Sequence, residues 1–169
     1  MTSLAHADSP SLEVPARSVS SLVLGDVEVS ADVVMSFSTP LFGFPEHHEF
    51  ALLPAARNGL WWLQSLSGEG VTFLLADPFV LDTSYGVDLG ATERTALAIE
   101  QPTEAFSLVM LTLPNEAGES ATANFRAPLV FNLSRRVGMQ VVSRDESHAI
   151  RRPITLNVFP LQADGIRVQ

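Results

Sequence analysis

Val27-Glu28-Val29-Ser30-Ala31-Asp32-Val33-Val34-Met35-Ser36-Phe37 carries an apolar side chain at every odd position. Successive residues of a strand point to opposite faces, so such a run buries one face and shows the other to solvent. The period is that of a half-buried sheet and not of a helix. Downstream, Pro40-Leu41-Phe42-Gly43-Phe44-Pro45-Glu46 reads as a turn that leads into Phe50-Ala51-Leu52-Leu53-Pro54. A second block follows: Trp61-Trp62-Leu63-Gln64-Ser65-Leu66, then Val71-Thr72-Phe73-Leu74-Leu75-Ala76-Asp77-Pro78-Phe79.

Working outward, Leu22-Val23-Leu24 reads as strand, with Gly25-Asp26 as a hairpin turn or a bulge before the long run to Phe37. β-Branched and aromatic content predicts further strands at 48–53, 60–66, 71–76, 106–113, 128–133 and 138–143. Ser67-Gly68-Glu69-Gly70 is a short hairpin loop, and Pro114 to Ser120 a longer polar one. The run 106–113 is almost all apolar, which predicts a central strand covered on both faces. Thr92 to Ile99 breaks the pattern as a short helix, with a capping residue at its start, an acid in its first turn and Pro102 beyond its end. Residues 1–18 show no period and read as a disordered tail. In 155–169, Leu156 and Val158 alternate as an added edge strand would. The fold class expected is all-β: an antiparallel, partly closed barrel-like or two-layer domain over 19–154 with one or two short helices.

A chain of 169 residues can bury a full core without staples. Its 46% hydrophobic and 17% charged content excludes a disordered protein, and no apolar run approaches the roughly 18 to 20 residues of a membrane span. Cysteine is absent, which removes disulfides, thiolate metal sites and cysteine nucleophiles together. Met1 to Asp8 has neither a basic nor an apolar segment of a secretory signal, so the expected location is cytoplasmic. The net charge of −9 repels phosphate backbones and suits steering toward a basic protein. No direct nucleic-acid binding and no membrane contact are therefore expected. All ten basic residues are arginine, which reads as codon bias and carries no functional weight.

The blocks from Leu22 to Ile154, taken in order, resemble the flagellar assembly factor family, FliW. Its apolar strand ending in V-x-x-P is similar to Phe106 to Pro114. Thr122-Ala123-Asn124-Phe125-Arg126-Ala127-Pro128-Leu129-Val130-Phe131-Asn132-Leu133 resembles its TANLxAPIVINL block. Arg135-Arg136-Val137-Gly138-Met139-Gln140-Val141-Val142 is similar to N-R-x-G-x-Q-V-V, and Ile150-Arg151-Arg152-Pro153-Ile154 to L-R-H-P-I. The family's G-L-P-G-F turn is here Pro40-Leu41-Phe42-Gly43-Phe44. The proline fixes φ near −65° where a glycine could turn positive, so this loop opens differently. The resemblance implies a non-enzymatic cytoplasmic regulator that binds flagellin and, when flagellin is scarce, binds the translational repressor CsrA instead. Two mutually exclusive ligands make each apparent affinity depend on the other's concentration.

Nothing in the residues themselves spells out catalysis or a cofactor. His47 and His48 are adjacent, face opposite ways on a strand and cannot chelate together. No serine sits in G-x-S-x-G, and no glycine-rich phosphate loop precedes a helix. Asn132-Leu133-Ser134 matches a glycosylation sequon, a coincidence in a chain without a signal. One of Trp61 and Trp62 is expected in the core, with the other open to a second layer or a partner. The partner contacts expected are Phe42, Phe44 and Glu46 in the turn, Asp77 and Phe79 at a strand end, Asn124 and Arg126, and the paired cations Arg135 and Arg136. Phe42 should be partly exposed with Phe44 packed beneath it. Each has a bland counterpart: strand ends need residues such as Asp77, paired arginines answer internal carboxylates, and Asn124 can hold a backbone turn. The competing reading from another class is a small-molecule or carbohydrate-binding barrel, in one version a cupin-like metalloenzyme, which requires a concave pocket with convergent polar groups.

Overall fold

The computed structural model describes residues 16–67 and 70–161. Strands β1 (Arg17–Ser21) and β2 (Gly25–Val29) pair as a separate two-stranded sheet. Then come β3 (Val34–Ser36), β4 (Glu49–Pro54), β5 (Leu60–Ser65), β6 (Thr72–Ala76), β7 (Phe106–Thr112), β8 (Ala121–Asn132) and β9 (Val137–Gln140). These seven pair antiparallel in chain order, and β9 returns to β3 through the single parallel pair Ser36↔Val137, which closes a barrel. Closure leaves no free edge in the ring. An eighth strand, β10 (Arg152–Ile154), lies along the first residues of β8. Two short helices, α1 (Pro78–Leu81) and α2 (Ala91–Ala96), complete the all-β domain.

Alternation along each strand sorts the apolar residues into separate layers. Phe37, Phe50, Leu63, Leu75, Leu108, Leu129 and Phe131 come from all round the ring and fill its interior. Phe37 meets Phe50 and Phe131 edge-on, at ring-centroid distances of 5.1 and 5.9 Å. On β7 parity parts Leu108, inside, from Val109 and Leu111, outside; on β8 the register shift near Asn124 reverses the parity, so Ala123 and Phe125 face outward although Leu129 and Phe131 face inward, and the outer residues are covered by Tyr85, Leu81 and Phe159. A third cluster seats Leu97 and Ile99 of the α2 segment on Val130 and Val141. The strand at 106–113 is therefore covered on both faces, and the two tryptophans divide as their parity requires. Trp61 turns inward onto Phe106 at 5.5 Å and Trp62 joins the outer layer, each half-buried.

Several expectations are corrected. The continuous strand to Phe37 does not exist: a 3-10 turn at Ala31–Val33 separates β2 from β3. The turn is closed by Val33 N–H, which donates to the Ser30 carbonyl at 3.3 Å, and the alternation continues across it because Val29 and Met35 are both buried on opposite sides of the interruption. Leu22-Val23-Leu24 is the hairpin turn and not a strand, held by the Ser21 hydroxyl oxygen, which accepts from the N–H groups of Val23 at 3.2 Å and Leu24 at 3.1 Å. Gly25 opens β2 at φ +73°, where glycine is at ease. Arg17 and Ser18, placed in the tail by composition, belong to β1. The rest of the tail expectation, at 1–15, lies outside the described residues, as do Gly68-Glu69 of the hairpin loop and 162–169.

The strand expected at 128–133 begins at Ala121, and the one at 138–143 ends at Gln140. Asp77-Pro78-Phe79 starts a helix: the Asp77 carboxylate caps α1 by accepting from Phe79 N–H at 2.9 Å, with proline at the first helical position. Leu156 and Val158 form a 3-10 turn and not an edge strand; that place is taken by β10. Helix α2 starts one residue early, at Ala91, where the Glu93 carboxylate accepts from Gly90 N–H.

Candidate functional site

The turn after β3 is built to show one aromatic. Leu41 is 2% exposed and sits in the barrel core, while Gly43 takes φ +87° with open space around it. Between them Phe42 is thrown out, 54% exposed, although its own backbone is fixed: its N–H donates to Oε1 of Gln140 on β9 at 3.0 Å. Gln140 in turn donates to the Ala127 carbonyl at 3.2 Å, so the turn is tied to both β9 and β8. Phe44 makes no ring contact with Phe42. It is half-buried against Phe73, edge-on at 4.9 Å, and against His47, and Leu41 is the buried support. Glu46 is exposed beyond it.

The histidines beside this turn diverge as their parity predicts. His47 Nδ1 lies 2.6 Å from Ser65 Oγ, whereas His48 Nδ1 lies 3.2 Å from the Phe37 carbonyl. Among the described residues no three His, Cys, Asp or Glu side chains gather where a metal ion could be held.

The other expected contact residues fall into three further places. Asn124 stands at the register break between β7 and β8, where Met110 pairs with Asn124 although Leu108 pairs with Leu129. Its Oδ1 accepts from the N–H groups of Arg126 at 3.1 Å and Ala127 at 3.0 Å, closing the bulge that feeds Pro128 into the strand. Arg126 donates to the Asp145 carbonyl at 2.8 Å. Asp77 is spent on its helix cap, with Phe79 beside it, 49% exposed and 6.3 Å from the Tyr85 ring. Arg135 and Arg136 occupy the β8–β9 turn. Arg136 takes φ +54° and donates to the Ala31 carbonyl at 3.0 Å. The nine residues thus lie at four places and do not converge on one pocket.

Sequence reasoning passed over the polar cluster outside the barrel. Tyr85, the single tyrosine, is 5% exposed and donates its hydroxyl to the Phe125 carbonyl at 3.0 Å; burial pushes its pKa up. Its ring meets Phe125 edge-on at 5.1 Å and His148 at 4.7 Å. Arg152 lies over the Phe125 ring at 4.7 Å and donates to Asp82 at 2.8 Å. The Ser84 hydroxyl, then Arg152, hold the Asp82 carboxyl down to about 2. A lone tyrosine in an apolar chain was the available signal, since a buried phenol needs an acceptor. Asn132, whose match to a sequon reads as a coincidence, is 1% exposed and its amide is fully engaged within the protein.

Comparison with known proteins agrees across levels. The model of the FliW protein family matches residues 18–154. A flagellar assembly factor FliW of Bacillus licheniformis is 33% identical over 131 residues, covering 77% of this chain and 91% of its own length. One from Leptospira interrogans is 31% identical over 131 residues, covering 77% and 87%. One from Moorella thermoacetica is 31% identical over 136 residues, covering 80% and 86%. A crystal structure of the flagellar assembly factor FliW superimposes with a TM-score of 0.74 at 26% identity, over 85% of this chain and 98% of that one. The closed barrel, its two short helices and these matches together place the chain in the FliW family of flagellar assembly factors.

Proposed function

We propose that this protein is a non-enzymatic, cytoplasmic regulator of flagellum assembly that binds flagellin and, when flagellin is scarce, sequesters a CsrA-type translational repressor, so that flagellin synthesis follows demand. The observation that carries the reading is Phe42: a large aromatic held out in solvent on a turn whose backbone is pinned to β9 and whose neighbour Leu41 is buried. Rigid presentation of an exposed aromatic is the form of an interface anchor, because little entropy is lost when a partner covers it. The chain's charge of −9 supports a basic RNA-binding protein as one of the partners. A ligand-binding or cupin-like barrel is less well supported, since Phe37, Leu63, Leu108, Leu129 and Phe131, each at most 1% exposed, occupy the space inside the ring.

The test is calorimetric titration of the purified protein with the same organism's flagellin and with its CsrA, separately and in competition. Binding to both, with each displacing the other, is the expected result. Stopped-flow association with CsrA should slow as salt rises toward physiological strength, because steering by net charge is screened over a Debye length of about 8 Å. Absence of binding to either partner overturns the proposal.

A further inference from the structure

Ten arginines are spread through this acidic chain, and four of them line two adjoining surface grooves. Arg17, Arg135 and Arg136 line the first, beside the β3–β9 seam; Arg94 and Arg135 line the second, beside α2. Arg135 belongs to both, so the grooves form one path from β1 across the β8–β9 turn to the helix. The guanidinium groups are unequally occupied. Arg17 pairs with Glu49 at 3.3 Å, and Arg136 donates to the Ala31 carbonyl and acts on Asp32. Arg94 and Arg135 are exposed, and among the described residues neither guanidinium makes a hydrogen bond or ion pair; Glu104 feels Arg135 only through space, and Glu100 lines the groove.

Backbone conformation marks the same path. Among the described residues Ala98 at φ +51° and Arg136 at φ +54° are the non-glycine residues at positive φ, and they line the second and the first groove respectively. Both conformations are costly for residues with a Cβ. At Arg136 the turn would accept glycine or asparagine more readily, yet it carries a guanidinium.

We propose that this path is a docking groove for an extended acidic peptide segment of a bound partner, its carboxylates meeting Arg135 and Arg94 first and Arg136 and Arg17 at the seam. The proposal rests on the reading of the protein as a protein-binding regulator and adds to it the chemistry of one contact. Guanidinium forks match carboxylates in paired hydrogen bonds, and two forks stand free to do so. The net charge of −9 disfavours a nucleic acid here, because a polyanion brings a dense row of phosphates against the whole molecule's field, whereas a peptide brings a few carboxylates to the path alone.

The probe is a short fluorescent peptide alternating glutamate and serine, titrated by anisotropy into the full chain at low salt, with a serine-glycine peptide and a single-stranded RNA of matched charge as comparisons. Arg94→Glu and Arg135→Glu should each weaken the acidic peptide, together by about ten-fold, as expected for losing two surface charge pairs. Arg151→Glu, an equal charge change at an exposed residue outside the path, should leave binding within about two-fold. Arg94→Gln/Arg135→Gln, without charge reversal, guards against a folding defect, and thermal melting checks all variants. No binding of the acidic peptide, equal loss in Arg151→Glu, or preferred binding of the RNA overturns the groove. Titration of the same variants with flagellin and CsrA separates the two readings: partners that bind while the peptide does not leave the function standing without the groove, and the reverse result leaves the groove without the function.

Discussion

Asn132, the last residue of β8, holds Leu97 at the end of α2: its side-chain amide donates to the Leu97 carbonyl at 3.1 Å and, with the same nitrogen, to the Ala98 carbonyl at 3.0 Å. Its Oδ1 accepts from the Ser134 hydroxyl at 2.9 Å and from Arg135 N–H at 3.3 Å. One buried amide therefore satisfies the end of a helix and shapes the β8–β9 turn. It also explains why Ala98 can remain at positive φ, since that conformation aims its carbonyl at the amide. Asn132→Ala should cost about 2–3 kcal/mol, because two carbonyls lose their donor beside a core that excludes water. Asn132→Asp should be no better at neutral pH, as it sets a carboxylate against the same carbonyls. Urea denaturation of both variants checks this, and an aspartate variant as stable as the wild type would refute it.

Gly138 on β9 is required by the closure of the barrel. A Cβ there would lie 2.6 Å from Phe37 Cζ and 2.9 Å from Phe131 Cδ1, two rings that are buried and already in edge-on contact. Neither ring has room to retreat, so Gly138→Ala should lose about 1–3 kcal/mol by overpacking, despite the higher strand propensity of alanine. The expected readout is a lower melting temperature with an unchanged circular dichroism spectrum. A melting temperature at or above the wild type would show that the seam is looser than its packing.

The ring was legible in the sequence because its strands are short runs rich in apolar, β-branched and aromatic residues, and β4, β5, β6 and β7 fall within about two residues of where composition places them; β8, whose period is broken by the bulge at Asn124, was placed only in its second half. What stayed hidden has physical reasons. Alternation reports only that odd positions are buried; it does not say against what, so Val29 and Met35 look like one strand although a 3-10 turn lies between them. Leu22 and Val23 look like strand residues because apolar side chains in a turn break the usual association of loops with polarity. Phe42 could be chosen from sequence, since the aromatic precedes a glycine in a turn. The groove that Arg94 shares with Arg135 could not, because it joins residues about forty positions apart through the docking of α2 on β8.

Asp82 gives the protein an acid-sensitive clasp. The carboxylate accepts from the Ser84 hydroxyl at 2.6 Å, from Ser84 N–H at 3.0 Å and from Arg152 at 2.8 Å, and its pKa falls from 3.8 to about 2. A carboxyl depressed in the folded state contributes its full stability above pH 3.8 and loses it as pH falls through about 2. Asp82→Asn should therefore lower the melting temperature at pH 6, with the gap to the wild type closing between about pH 4 and pH 2. A gap that stays constant over that window would mean that the pair contributes nothing that ionisation controls.

The Leu41 to Phe44 turn separates stability from recognition residue by residue. Phe42 is 54% exposed and its ring has no aromatic neighbour within the described residues, so its truncation removes little packing. Phe44 is half-buried on Phe73 at 4.9 Å and packs on the barrel core, so its truncation removes an edge-on pair and part of a buried ring. Phe42→Ala should leave the melting temperature nearly unchanged and weaken flagellin or CsrA by about 1–2 kcal/mol, the range of an ordinary interface anchor. Phe44→Ala should lose about 1.5–3 kcal/mol of stability, below the loss from a fully buried phenylalanine because the ring is only half covered. Gln140→Ala completes the set: it removes the acceptor of Phe42 N–H without touching the ring, so it should weaken partner binding by loosening the turn, by less than Phe42→Ala does. Melting curves and titrations on the three variants tell support from contact. If Phe42→Ala unfolds early yet binds normally once folded, the ring is part of the core and the recognition surface lies elsewhere.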